Sequence, residues 1–365
     1  MTADGAVVSS RGSARLADLI RGQILDGEYR AGSLLPSERV LAREHGMGSR
    51  TVRRALKILE SEALVAAEDR RGYRVLSKAH DPERGCPLAF VASELPTRDP
   101  IKGGFFQTML AELQRAASAR QWSLLGVGSE GRTPGEVVEH LRTARAGGAI
   151  VDSIDADLLG AIRKAGIPTV IADAWLEDAG FDGILQDGFT GGIQAAAYLA
   201  SRGHERVGWL GLEIAGDRSQ MVLERFSGAV GGLARAGLRI AEEHLVEVPE
   251  GDEVSSLSAA RALLGSPDRP TAVIAPWQGT GSSIVKAADE LGLRLGTDLE
   301  MVGWSTLEQY ETEYVQRFVN QPVQPAVIWS VREMAEVCII RLAQRRADPG
   351  LPVTKTRIPT QLRLP

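Results

Sequence analysis

Basic side chains concentrate in one short segment near the amino terminus. Arg50, Arg53, Arg54 and Lys57 all fall within eight residues. An arginine can donate two hydrogen bonds to the edge of a guanine base, and arginine and lysine both bind phosphate groups. These residue types in this arrangement favour binding to a nucleic acid. A charge run can also be a helix face that meets only solvent, so the elements that hold the segment have to decide between the two interpretations.

Apolar residues at helical spacing predict three helices around this segment. Ser13 is expected to cap the first helix, Ser37 the second and Ser49 the third. Gly46 interrupts the pattern between the second and third helices, and two helices joined by a short turn with a glycine are typical of a helix-turn-helix. The predicted buried stripe of the third helix consists of Val52, Ala55, Leu56 and Leu59.

Two short strand-like runs follow the third helix and predict a hairpin. Its turn contains Arg70, Arg71 and Gly72. A basic hairpin tip beside a helix-turn-helix can reach the DNA backbone or the minor groove, so we interpret this hairpin as a wing. Residues 1–77 are therefore predicted to form a winged helix-turn-helix DNA-binding domain.

The charge balance differs between the two parts of the chain. Residues 1–78 carry 14 Lys and Arg against 10 Asp and Glu, whereas the remaining residues carry 28 against 37. A basic head on an acidic body is expected when one domain contacts phosphate and the other does not.

Composition limits the other classes of protein that the chain can belong to. The two cysteines, Cys86 and Cys338, lie far apart, which is typical of a reducing compartment rather than a disulfide scaffold. No apolar run reaches about 18 residues, and the first residues lack the pattern of a signal peptide. The histidines show no zinc-binding spacing. We therefore expect a cytoplasmic protein with no membrane span, no metal and no cofactor.

The pattern changes after residues 78–87, a polar stretch with two prolines that we interpret as a linker. Short apolar runs then alternate with amphipathic helices, as in a doubly wound α/β fold with a parallel sheet. About 280 residues exceed one comfortable core, so residues 88–365 are predicted to form two such lobes. Ligands bind beyond the carboxyl ends of parallel strands, and the cleft between the lobes is the expected site for a small molecule.

The head resembles the GntR family of bacterial regulators. The similarity rests on the stretches LLPSERVLAREHG, SRTVRRALKILESEALV and RRGYRV. It implies DNA contacts from the arginine after Pro-Ser-Glu and from the start of the third helix, with the wing glycine against the groove. Many members read Ser-Arg-Thr-Thr-Val, whereas this chain has its arginine one place later, at Arg50. The residues expected to contact DNA are Arg39, Ser49, Arg50, Thr51, Arg53, Arg70, Arg71 and Gly72.

The body resembles the LacI-type regulator core, which is similar to periplasmic sugar-binding proteins. The similarity rests on the order of segments such as DGFTGGIQAAAYLASRGHERVGWLG, ERFSGAVGGLARAGL and AADELGLRLGTDLEMVGW. It implies a homodimer and an effector hydrogen-bonded by Arg225. Trp277 and Gln278 stand where the family often has Asn-Asp, and Ser305 stands where it often has Asp.

Aromatic residues complete the predicted effector site. Phe105, Phe106 and Trp175 follow predicted strands and either line the cleft or pack in the core. The indole face of Trp277 suits a sugar ring or a nucleobase-like ring. The full predicted effector-binding set is Phe105, Phe106, Trp175, Arg225, Trp277, Gln278 and Ser305.

These patterns predict a transcription regulator, a repressor rather than an enzyme, that binds double-stranded operator DNA and responds to a sugar or sugar-like effector. A solute-binding protein of a transport system is one alternative. A dinucleotide-dependent oxidoreductase is another, because the GVGSEG sequence at residues 126–131 matches the dinucleotide motif. We expect Thr133 to cap the next helix and Pro134 to be its first residue, which would hold a pyrophosphate away from the helix start.

Overall fold

The computed structural model describes residues 13, 15–17, 19–20, 23–24, 28–29, 32–61, 64–68, 71–75, 86–93, 104–153, 155–174, 180–213 and 219–365. The chain forms two compact units, Met1–Gly85 and Cys86–Pro365. We call the first unit the head and the second the body, and describe each by itself.

The head contains the predicted helix-turn-helix. Its elements are a first helical stretch within residues 13–24, then α1 (Glu38–Glu44) and α2 (Ser49–Ser61). The Ser37 hydroxyl accepts the N–H of Val40 at 3.4 Å, which confirms the predicted cap of α1. The turn at Gly46 has a φ of +60°, a conformation that glycine adopts without steric cost.

Two predicted caps of the head are wrong. Ser13 is itself helical and buried, whereas a cap lies outside its helix. Ser49 is the first residue of α2, because the carbonyl of Gly48 already accepts the N–H groups of Thr51 and Val52. The exposed Ser49 side chain therefore lies on the first turn of the helix instead of capping it.

The wing is an antiparallel hairpin of β1 (Val65–Glu68) and β2 (Gly72–Val75), in which Val65 pairs with Val75. The predicted stripe of α2 packs beneath it. The buried residues of the head are Leu16, Ala17, Ile20, Ile24, Leu35, Leu41, Val52, Ala55, Leu56, Leu59, Leu64, Val65 and Val75.

The body contains two parallel sheets with the same strand order. In lobe 1 the order is β4–β3–β5–β6–β7–β13, with every neighbouring pair parallel. Its strands are β3 (Leu88–Ala92), β4 (Leu124–Gly128), β5 (Gly148–Asp152), β6 (Thr169–Ala172), β7 (Asp182–Gln186) and β13 (Lys355–Ile358). Its helices are α3 (Gly104–Ser118), α4 (Pro134–Thr143), α5 (Ala156–Lys164) and α10 (Val331–Ala347).

Lobe 2 repeats the arrangement as β9–β8–β10–β11–β12–β14, where only β14 runs antiparallel to its neighbour. Its strands are β8 (Val207–Leu212), β9 (Leu245–Val248), β10 (Ala272–Ile274), β11 (Glu300–Thr306), β12 (Ala326–Trp329) and β14 (Gln361–Arg363). Its helices are α6 (Gly188–Ser201), α7 (Ser219–Arg235), α8 (Glu253–Gly265) and α9 (Gln278–Glu290). This architecture confirms the predicted two-lobed doubly wound fold.

The chain passes between the lobes three times, after β7, after β12 and after β13. The crossings after β7 and after β13 are hydrogen-bonded to each other. The N–H of Asp187 donates to the carbonyl of Ile358 at 2.8 Å, and the Thr360 hydroxyl donates to the carbonyl of Asp187 at 3.0 Å. Adjacent connections of this kind allow two lobes to open and close as a hinge.

Helices α6 and α7 approach each other through glycines. A Cβ atom at Gly192 would lie 2.2 Å from the carbonyl oxygen of Arg225, and one at Gly228 would lie 2.1 Å from the carbonyl oxygen of Phe189. Real Cβ atoms do not come so close to backbone oxygens, so only glycine permits this contact. The contact fixes α7, which carries Arg225, against α6.

Candidate nucleic-acid interface and ligand cleft

The exposed face of α2 carries the basic residues of the head. Arg50, Arg53, Arg54 and Lys57 are exposed, while the opposite face is buried. Arg39 on α1 is exposed as well. This face has the composition that recognition helices present to the major groove.

Arg53 has a partner within the head that sequence reasoning missed. Its Nε donates to the Glu38 carboxylate at 3.2 Å and its Nη2 at 2.9 Å. The hydrogen bond to Glu38 and the charge of Glu38 raise the pKa of Arg53. The pair joins the first residue of α1 to α2 and so holds the two helices together. A role of Arg53 on DNA stays a prediction.

The wing is held by a glycine and an ion pair. Gly72 pairs with Glu68 across the hairpin and has a φ of +105°, a region that side chains rarely adopt. The Arg74 guanidinium binds the Glu68 carboxylate, with Nη2 to Oε2 at 2.9 Å, and also donates to the carbonyl of Gly32. Arg71 is exposed beside the turn. Arg70 lies outside the described residues.

Side chains near the carboxyl ends of β7 and β11 meet between the two lobes of the body. A hydrogen-bonded chain of buried side chains crosses between the lobes there. Trp304 of β11 donates from Nε1 to Oε1 of Gln186 at 2.9 Å, and Nε2 of Gln186 donates to Oδ1 of Asp173 at 3.0 Å. Asp173 follows β6 and Gln186 ends β7, so both belong to lobe 1. These hydrogen bonds connect the two lobes.

Arg225 lies at the same place, on the lobe 2 side. Its guanidinium carbon is 3.8 Å from the ring centroid of Trp277 and 4.6 Å from that of Trp304. Nη1 donates to the carbonyl of Pro276, whereas the buried Nε has no hydrogen-bond partner. Burial lowers the pKa of Arg225 to about 9, against the opposing charges of Asp173 and other carboxylates. The structure thus brings Arg225 and Trp277 together, as the effector-site prediction requires.

Asp173 is an unusual residue in this cleft. It is only 8% exposed, and its φ is +48°, which is uncommon for a residue other than glycine. Burial raises the pKa of Asp173 to about 6, although the bond from Gln186 and the charge of Arg225 act in the opposite direction. Sequence reasoning missed Asp173, Gln186 and Trp304. A signal was present for Asp173, because an acidic residue directly follows a predicted buried strand.

The other predicted cleft residues divide into three groups. Phe105 packs against Phe106 and, 6.0 Å between ring centroids, against Trp329 at the end of β12, so it bridges the lobes. Ser305 is buried with its hydroxyl bonded to the carbonyl of Thr306, and the Gln278 carbonyl accepts a bond from Arg317. Trp175 lies outside the described residues. Ligand contacts by these residues stay predictions.

The described ranges contain no group of three or more His, Cys, Asp or Glu residues that could hold a metal ion. None of the helices described there is long and apolar enough to span a membrane. The glycine motif at residues 126–131 is followed by Arg132 and by the predicted cap Thr133, which forms a capping box with Glu136. Helix α4 therefore starts at Pro134, away from the glycines.

The chain combines a winged helix-turn-helix with a two-lobed, doubly wound body, and both parts match known families. Residues 96–324 match the family described as periplasmic binding proteins and sugar binding domain of LacI family. The chain belongs to this family. Its head, over residues 13–75, matches the family of bacterial regulatory proteins, gntR family. Both resemblances noted in the sequence are confirmed.

A named relative and two solved structures show the same likeness. The HTH-type transcriptional repressor PurR of Escherichia coli O139:H28 (strain E24377A / ETEC) is 32% identical over 194 residues, which are 50% of this chain and 52% of PurR. The chain thus spans about half the length of the curated relatives it matches. A LacI family regulatory protein from Chloroflexus aggregans has a TM-score of 0.64 at 21% identity, covering 75% of this chain and 96% of that one. The transcriptional regulator CelR in complex with cellobiose has a TM-score of 0.65 at 18% identity, covering 90% and 99%.

Proposed function

We propose that the chain is a transcriptional repressor that binds operator DNA through its head and releases or retains it according to a small molecule in the body. The observation that carries this proposal is the presence, on one chain, of a helix with an exposed basic face and of a buried arginine beside side chains that join the two lobes. Residues 1–77 would then be the DNA-binding domain, 78–87 the linker, and 88–365 the effector-binding and dimerisation domain.

A homodimer in the cytoplasm is part of the same proposal. Two heads related by a two-fold axis would read two half-sites of a palindrome. The ligand would favour one arrangement of the lobes, and this difference in affinity would change the affinity of the dimer for its operator. The hydrogen-bonded chain from Trp304 through Gln186 to Asp173 supports this coupling, because it crosses between the lobes at the cleft.

Sugars are the first compounds to test as effectors. Two solved structures with this fold contain a bound sugar, cellobiose in CelR and ribose in a LacI family regulator from Enterococcus faecium. Trp277 offers an indole on which the flat face of a sugar ring can stack.

Replacing Arg50 with alanine tests the proposed function of the head. The probe is duplex DNA that the full-length protein selects from a randomised library. Arg50 is exposed on the first turn of α2, and we expect Arg50→Ala to lose about 1–3 kcal/mol of binding free energy at fixed salt if it contacts a base. The measurement is a fluorescence-anisotropy titration with the selected duplex.

Arg43→Ala is the matched control, because Arg43 is also exposed and cationic but lies in the last turn of α1. It removes the same charge from the head, and we expect a smaller loss that reflects only long-range attraction. Equal losses of binding free energy in the two variants would mean that Arg50 contributes only through its charge. Failure of the wild-type protein to enrich any duplex would contradict the proposed function itself.

A further inference from the structure

Within the part of the chain that the structure describes, Arg225 is a buried cation without an ion-paired carboxylate. Its side chain belongs to a residue that is 5% exposed, and no carboxylate of the described residues lies within the 4.0 Å limit of an ion pair with its guanidinium. Burying a charge that lacks a partner is costly, and buried cations in proteins are normally paired. The guanidinium of Arg225 is therefore near carboxylates of the described residues but not in direct ion-pair contact with them.

The neighbouring carboxyl groups do not provide the missing partner. Asp173 accepts its hydrogen bond from Gln186, and Glu224 binds Arg357 at 2.7 Å. Glu250 acts on Arg225 only through its charge at a distance. These groups attract the guanidinium but do not accept its hydrogen bonds.

The free part of Arg225 is one edge of its guanidinium. Trp277 and Trp304 lie against the group at 3.8 and 4.6 Å, and Nη1 is bonded to the carbonyl of Pro276. The Nε–H remains, buried and without a partner. In arginine the Nε–H and one Nη2–H point the same way, and this edge binds the two oxygens of an oxyanion in parallel.

Two further positions lack a negative charge that would repel an anion. Gln278 and Ser305 stand where the resembling family often has aspartate, and both are uncharged here. A sugar hydroxyl needs acceptors such as carboxylates, whereas an oxyanion needs donors and is repelled by carboxylates. The absence of acidic groups at these two positions and the unpartnered Nε–H of Arg225 both favour a ligand with a negative charge.

We propose that the effector of this protein carries an oxyanion, a carboxylate or a phosphate, that binds the Nε edge of Arg225. The inference rests on the proposed function, because it names the chemical class of the ligand that the regulatory cleft accepts. The rest of the ligand lies beside the indole of Trp277. A neutral sugar then lacks the group that satisfies Arg225, and a sugar acid or sugar phosphate supplies it.

Matched pairs of neutral and anionic compounds test the proposal on the full-length protein. The pairs are glucose with gluconate and glucose 6-phosphate, galactose with galacturonate, and ribose with ribose 5-phosphate, all titrated by isothermal calorimetry at constant ionic strength. We expect binding by an anionic member and at least tenfold weaker binding by its neutral partner. The acid and phosphate arms show which oxyanion the site takes. Neutral members that bind as well as the anions, or a panel in which no anion binds, would overturn the proposal.

Substitutions of Arg225 then test whether the anion binds this residue. For the anion that binds, Arg225→Met should weaken affinity roughly 10- to 100-fold, as expected for a lost charge-assisted hydrogen bond. Arg225→Lys keeps the charge without the two-pronged edge and should fall between Met and wild type. The control is Arg235→Ala, an exposed arginine at the end of the same helix, which should bind normally. Anion affinity unchanged in Arg225→Met, in a variant whose melting temperature matches the wild type, would contradict the assignment.

The two proposals fail in different ways. An anion that binds through Arg225 but leaves the affinity for the selected duplex unchanged supports the ligand class and contradicts ligand-controlled repression. A neutral sugar that binds and alters the affinity for the duplex supports repression and contradicts the oxyanion.

Discussion

Gly228→Ala is expected to destabilise the body severely, by about 3 kcal/mol or more, because overpacking forces the backbone of two helices apart. The new Cβ would lie 2.1 Å from the carbonyl oxygen and 2.9 Å from the carbonyl carbon of Phe189. These are backbone atoms of α6, which cannot rotate away as a side chain would. The measurement is thermal unfolding of the full-length protein followed by circular dichroism, read as the transition of the body.

Gly231→Ala provides the matched control on the same helix. No atom lies within 4 Å of a Cβ built at Gly231, and its φ is not positive. Alanine in a helix interior is favoured over glycine by roughly 0.5–1 kcal/mol, so this variant should be as stable as the wild type or slightly more stable. Equal melting temperatures for the two variants would show that α7 moves freely against α6, contrary to the close glycine contact described above.

The second large effect concerns pH and Asp173. The folded pKa of Asp173 is raised from 3.8 to about 6, so the folded protein holds this proton more tightly than the unfolded chain. The resulting stabilisation is fully present below about pH 4 and is lost as the pH rises through about 6. A shift of this size corresponds to at most about 3 kcal/mol, an order-of-magnitude figure.

Asp173→Asn should remove this dependence on pH. An asparagine oxygen can still accept the bond from Gln186, and asparagine tolerates the positive φ of this position. We therefore expect the variant to be more stable than the wild type at pH 8 and similar to it at pH 4.5. Urea unfolding of both proteins at pH 4.5, 6 and 8 measures the difference, in which the titration of groups that do not interact with Asp173 cancels. A variant less stable than the wild type at pH 8 would indicate that the charged carboxylate stabilises Arg225 more than its burial costs.

Local sequence determined much of this protein. The cap at Ser37, the buried stripe of α2 and the start of α4 at Pro134 follow from residue types within one or two helical turns, and the structure has all three. Alternation of apolar runs and helices indicated the doubly wound lobes, because parallel strands buried on both faces need such runs. Ser49 was misplaced by one residue, since Gly48 and Ser49 are adjacent candidates and only the backbone bonds decide which of them caps the helix.

Tertiary structure alone decided how distant residues meet. Gln186 and Trp304 are 118 positions apart, and Arg53 meets Glu38 across the turn between two helices. Helix α10 and strand β13 return to lobe 1 from the far end of the chain. Periodicity reports which face of an element is buried but not what it is buried against, since that depends on the packing of whole elements. The family resemblance indicated Arg225 as an effector-site residue, while its unpartnered Nε–H emerged only from the indoles and the carbonyl group that the fold assembles around it.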